Sequence, residues 1–138
     1  MMRLLRTALG VGVAVIATAT VASAATRPAL NISPAAPHID NNVTVSFASA
    51  GIARGYTYLV LIDGASTCNG QEAAAKTIKG PQAAGKHLHA TFSPPDNLVT
   101  LNATTWCDGL AQASVILDHG NKPVKHLRPA SFRFTAIP

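Results

Sequence analysis

The sequence predicts an all-β fold, a Greek-key β-sandwich of about seven strands, and three observations carry that expectation. Apolar and polar residues alternate with period two in short runs, the runs stop at Pro, Gly and Asn, and only one stretch has the makings of a helix. Alternation over four to eight residues sends one face of a segment into a core and leaves the other in water. That is the pattern of a half-buried antiparallel strand.

Taken in order, the chain opens on a leader rather than a strand. Arg3 and Arg6 flank a mostly apolar run from Ala8 to Val21, broken only by Thr18 and Thr20, and Val21-Ala22-Ser23-Ala24 offers the small residues a signal peptidase reads. Residues 1–24 are expected to be cleaved as a signal peptide, leaving a domain over 25–138 that starts at Ala25. The run is too short and too rich in Ala, Gly and Thr to stay in a bilayer, which asks for ~20 strongly apolar residues. No Cys follows the cleavage site directly, and the two arginines are not adjacent, so neither a lipid anchor nor twin-arginine export is indicated. The expected localisation is secreted and extracellular, with no membrane contact after cleavage.

The strands follow. Leu30 and Ile32 alternate with Asn31 and Ser33 until Pro34-Ala35-Ala36-Pro37 ends the run. Val43, Val45 and Phe47 alternate with Asn42, Thr44 and Ser46 ahead of the turn region at Gly51 to Gly55. Tyr56 to Asp63 is rich in Tyr, Leu, Val and Ile and closes at Gly64. Glu72 to Lys76 suits a short helix, with Ala73-Ala74-Ala75 inside an i,i+4 ion pair, while Ala74 to Lys79 suits an edge strand equally well. Leu88, Ala90 and Phe92 alternate with His87, His89 and Thr91 before Pro94-Pro95. Ala111 to Asp118 is a largely apolar strand turned by Gly120-Asn121, and Phe132 and Phe134 alternate within a last one.

The 114 residues from Ala25 onward suit one domain of ordinary size. Their nine basic and six acidic residues leave a formal charge of +3, spread along the chain. Polyanion binding asks for basic residues gathered on one face, so no nucleic-acid partner is expected, and the chain reads as a monomer. Cys68 and Cys107 are the two cysteines, and in an oxidising compartment such a pair reads as a disulfide. Closing a loop of about 40 residues stabilises by roughly 4 kcal/mol on the chain-entropy estimate. In a seven-strand Greek-key sandwich with Tyr56–Asp63 third and Ala111–Asp118 sixth, those strands are antiparallel neighbours. The bridge would then clamp two loops at the same end of one sheet.

The opening Leu30-Asn31-Ile32-Ser33-Pro34, followed by Asn42-Val43-Thr44-Val45-Ser46-Phe47 and by strand spacing across roughly 28–137, resembles the secreted, bacterial-type immunoglobulin-like or fibronectin-type-III-like sandwich domains. The resemblance is at the level of the fold. It implies an immunoglobulin-like Greek-key sandwich of the sort used for adhesion modules, binding scaffolds and spacers, and it implies no particular activity. Three departures stand out: the second strand carries no Cys, Trp106 lies beside Cys107 rather than on the third strand, and Thr105 sits where a tyrosine corner would fall.

Candidate chemistry is sparse. His87 and His89, two apart on a strand, point to one face and could chelate Zn²⁺ or Cu²⁺ with a further ligand. His119 and His126, with Asp118, flank the loop between the last two strands as a looser set, and His38 stands alone. Ser66 lacks the Gly two residues later that a nucleophile elbow uses, and the six acids are spread singly, so no enzyme activity is expected and no cofactor is called for. Asn31, Asn42 and Asn102 begin Asn-X-Ser/Thr triplets, which would take glycans only in a eukaryotic secretory path. Leu59, Leu61 and Ile116 fall on the side of their strands opposite the expected core, forming an apolar patch unless Leu98, Val99 and Leu101 or the chain end fold over it. Trp106, beside the bridge at a loop-bearing end, is the single residue most suited to contact a partner there.

The expected function is therefore a secreted, non-catalytic binding or structural module for an extracellular protein or small ligand. A metal or small-ligand carrier using the surface histidines, and a small secreted inhibitor or toxin-like factor, are the alternatives.

Overall fold

In a computed structural model of the protein, residues 29–64, 72–100 and 102–138 are described. The expected leader and its expected cleavage site, Ser66, Cys68 and Leu101 lie outside the described residues.

The alternating runs become strands. These are β1 (Asn31–Ser33), β2 (Val43–Ala48), β3 (Tyr56–Gly64), β4 (Glu72–Lys79), β5 (His87–Phe92), β6 (Gly109–His119), β7 (Lys122–His126) and β8 (Ala130–Phe134). A 3-10 turn at Pro94–Asp96 follows β5. Two antiparallel sheets result, one ordered β1-β2-β5, the other β4-β3-β6 with both β7 and β8 beyond β6. Their apolar faces pack together as an all-β sandwich. Val43, Val45 and Phe47 of β2 and Leu88, Ala90 and Phe92 of β5 come from one sheet. Tyr58, Val60 and Ile62 of β3, Ala113 and Val115 of β6, and Phe132 and Phe134 of β8 come from the other. Each fully buried side chain of that size stabilises by about 1.5–3 kcal/mol relative to exposure.

β3 and β6 are the paired centre of the larger sheet, in register from Tyr56↔His119 to Gly64↔Ala111. The third and sixth strands are thus antiparallel neighbours, as the pattern predicts, with the end of β3 beside the start of β6. Cys107 is buried and disulfide-bonded. It lies four residues before Ala111, and Cys68 comes four residues after Gly64 in the sequence, so the register leads toward both cysteines from the same end of the sheet.

One open alternative is decided and one element differs from the sequence expectation. Of the helix and the edge strand that residues 72–79 suit, the strand forms: β4 pairs with β3 through eight consecutive positions, Thr57↔Lys79 to Gly64↔Glu72. A five-residue helix would bear the nucleation cost for few hydrogen bonds, whereas the open edge of β3 supplies a partner for every residue. Residues 122–126, expected as loop, form β7. Gly120 and Asn121 both have positive φ (58° and 63°), the backbone of a two-residue hairpin turn whose twist suits the strands it joins. Among the described residues eight strands therefore stand where about seven were expected. β7 pairs with the last residues of β6 and β8 with its first, so the two are successive pieces of one edge. Pro129, which has no N–H to give, interrupts it.

Glycine matters at one close approach. A Cβ on Gly80 would run into the carbonyl of Ala53, where the chain after β4 crosses the loop before β3.

Candidate functional site

The outward face of the larger sheet is a surface that the strand register assembles from residues singled out above. On this face Leu59 of β3 lies opposite Thr77 of β4 and Ile116 of β6, and Ile116 opposite His126 of β7. The next row joins Ala75, Leu61 and Ser114, and the one after it Ala73, Asp63, Gln112 and Ser131. Leu59, Leu61 and Ile116 are half-buried, each shielded on its flanks by neighbours in its own sheet. Leu98 and Val99 do not fold over them: both are more than half exposed, at 64% and 51%. The chain end turns to the segment after β1, where Thr135 bridges to His38. The apolar patch thus stands open among the described residues, while Leu110, 55% exposed, lies on the same face beyond the polar Asp63–Gln112–Ser131 row.

Beside Leu110 a depression of about 350 Å³ is lined by Asp63, Gly64, Ala111, Gln112 and Ser131. Its lining brings together a carboxylate, an amide and a hydroxyl. Another, of about 330 Å³, lies toward the opposite end of β3, lined by Gly51, Ile52, Ala53, Tyr56 and Leu117. The Tyr56 ring there stacks on His119, centroids 4.2 Å apart.

Trp106 is not part of this surface. Only 2% exposed, it belongs to the core. Its backbone N–H donates to the Ile39 carbonyl (2.6 Å) and its Nε1 to the Asn41 carbonyl (2.8 Å). Its ring stacks on Phe134 with centroids 5.2 Å apart. The expectation that Trp106 meets a partner is therefore corrected: an indole with its one donor satisfied inside and both faces packed has nothing to offer a ligand.

The histidines separate. His87 and His89 are exposed on the outer face of the smaller sheet, as the alternation predicts. His119 pairs with Tyr56, whose neighbour Tyr58 points into the core, whereas His126 lies opposite Ile116 on the outward face. Strand alternation thus puts His119 and His126 on opposite faces, and they form no shared site. His38 lies within 3.1 Å of the Thr135 hydroxyl through Nδ1 and pins the loop after β1 to the end of β8. Among the described residues no three His, Cys, Asp or Glu side chains converge as a metal site.

The structure also collects charge that is scattered in the sequence. Lys122 and Lys125 on β7, Arg128 in the break, and Arg133 on β8 lie along one sheet edge. They do not share a face. Lys122 and Lys125 pair with His119 and Leu117, while Arg133 pairs with the outward Leu110.

The other edge of this sheet is guarded. Lys76 pairs with Val60, so this lysine points toward the core side at the rim of the sandwich. There its Nζ donates to the Thr91 carbonyl, lies 3.5 Å from the Asp96 carboxylate and sits 5.6 Å from the centre of the Phe92 ring. An inward-pointing charge on an edge strand opposes strand addition. The Leu98 N–H donates to the Ala73 carbonyl (2.7 Å) and occupies part of the same edge. The outward face of this sheet, rather than its β4 edge, is what it leaves available.

No known family model matches the chain, and no curated protein matches it. Among the described residues no helix is long and apolar enough to cross a membrane.

Proposed function

We propose that the protein is a secreted, non-catalytic binding module of the immunoglobulin-like or fibronectin-type-III-like kind, held by a Cys68–Cys107 bridge. It engages an extracellular protein partner through the outward face of its larger sheet. The observation that carries this reading is the open apolar row of Leu59, Leu61 and Ile116 at the paired centre of the sheet, flanked by a polar row that can supply hydrogen bonds. An apolar centre with a polar surround is the anatomy of a protein interface. The strand order, with β2 and β5 in one sheet and β3 and β6 in the other, supports the immunoglobulin-like assignment. The leader supports export.

The test is the double substitution Leu59→Ser with Leu61→Ser. Both side chains are half-exposed, so the pair should cost about 1–3 kcal/mol in all and leave the fold intact by circular dichroism. Binding to the extracellular fraction of the producing cell, followed by cross-linking, should fall at least tenfold. Undiminished binding by a folded double variant would remove this face from consideration, and unfolding would show that the two leucines serve the core.

A further inference from the structure

We propose that His87 and His89 form an open chelate for Cu²⁺ on the outer face of the smaller sheet, with solvent completing the coordination. The site is separate from the partner face and does not depend on it.

β5 alternates strictly, with Leu88, Ala90 and Phe92 buried and His87, His89 and Thr91 exposed. The two imidazoles therefore rise from the same face about 7 Å apart at their roots. That separation lets the rings lean toward each other and place one nitrogen each on a common ion, at the roughly 2.0–2.1 Å typical of metal–imidazole bonds. Their cross-strand neighbours are small. Ala48 lies opposite His87 and Ser46 opposite His89, so no bulky β2 side chain stands between the rings. Neither imidazole is engaged in a hydrogen bond, ion pair or ring contact among the described residues. In contrast, His38 is held by Thr135 and His119 by Tyr56.

The choice of metal follows from the ligand count. A closed tetrahedral zinc site wants three or four protein ligands, and no such group exists among the described residues. Two imidazoles plus water suit Cu²⁺, which stands highest in affinity among the divalent first-row ions and accepts tetragonal nitrogen and oxygen coordination.

Titration of the exported protein with copper(II) sulfate in a non-coordinating buffer, followed by calorimetry and electron paramagnetic resonance, tests this. One equivalent should bind with a tetragonal spectrum showing imidazole nitrogen coupling. His87→Gln with His89→Gln should weaken binding by about tenfold or more. His119→Gln with His126→Gln should leave it unchanged. Both histidines of the site are exposed, so circular dichroism of the first variant should match the wild type. Three results would overturn the proposal: no saturable binding by the wild type, binding undiminished in the His87/His89 variant, or copper lost on acetylating the N-terminal amine while those histidines are intact.

Discussion

Asp96 shows how much local order one carboxylate imposes here. Its Oδ2 accepts from the Ser93 backbone N–H (2.7 Å) and the Ser93 hydroxyl (3.1 Å) and lies 3.5 Å from Lys76 Nζ. The backbone hydrogen bond is the largest cause holding its pKa below the ordinary 3.8, helped by the hydroxyl and the lysine and opposed by partial desolvation. A carboxyl whose pKa is lowered by folding contributes its stability fully above the unfolded value and loses it as pH falls through the folded one. Asp96→Asn should therefore cost about 1 kcal/mol at pH 7. In urea titrations at decreasing pH, the gap from wild type should narrow below 3.8 and close once both states are protonated. Trp106 is the other telling residue. Trp106→Ala should cost about 3–5 kcal/mol in urea unfolding at pH 7, because it empties a packed space and orphans the Asn41 carbonyl. A loss below about 1 kcal/mol would contradict its place in the core.

Among the elements, β4 is the most instructive. Its Glu-Ala-Ala-Ala-Lys start carries good helix formers, yet it is a strand because β3 offers a complete ladder. Local propensity loses to a ready partner. The same strand bears the inward Lys76, which reads as a solvated helix charge in the sequence and acts as an edge guard in the sheet. Lys76→Val should remove that guard. The variant should self-associate in light scattering at concentrations where the wild type is monomeric, without gross loss of strand content. A strictly monomeric variant would mean that the Leu98 contact and the sheet twist suffice. β7 was legible after all: Gly120-Asn121 between two extended segments is a hairpin signal, outweighed by the exposed and proline-bearing Lys122–His126 that follows it.

For the whole molecule, the proposed Cys68–Cys107 bridge is the long-range restraint to test. The segment between Cys68 and Cys107 contains β4, β5 and the crossings to the smaller sheet and back. Reduction, or Cys107→Ser, should lower stability by up to about 4 kcal/mol, read as a shift in the urea midpoint with and without reductant. An unchanged midpoint, with thiols shown to be free, would mean that the bridge restrains little.

Period-two alternation is local. For that reason the sequence by itself determined the all-β class, most of the strands, and which side chains of β2, β3, β5, β6 and β8 turn inward. It also separated Leu59, Leu61 and Ile116 from the core and placed His87 and His89 on one face. Tertiary structure alone decided what depends on distant partners. It made β4 a strand, seated Trp106 between the Ile39–Asn41 turn and Phe134, and put His119 and His126 on opposite faces. It also drew separate lysines and arginines onto one edge. The physical reason is that burial is a property of what packs against a residue. For a loop tryptophan or a strand at a sheet edge, that neighbour lies tens of residues away in the chain.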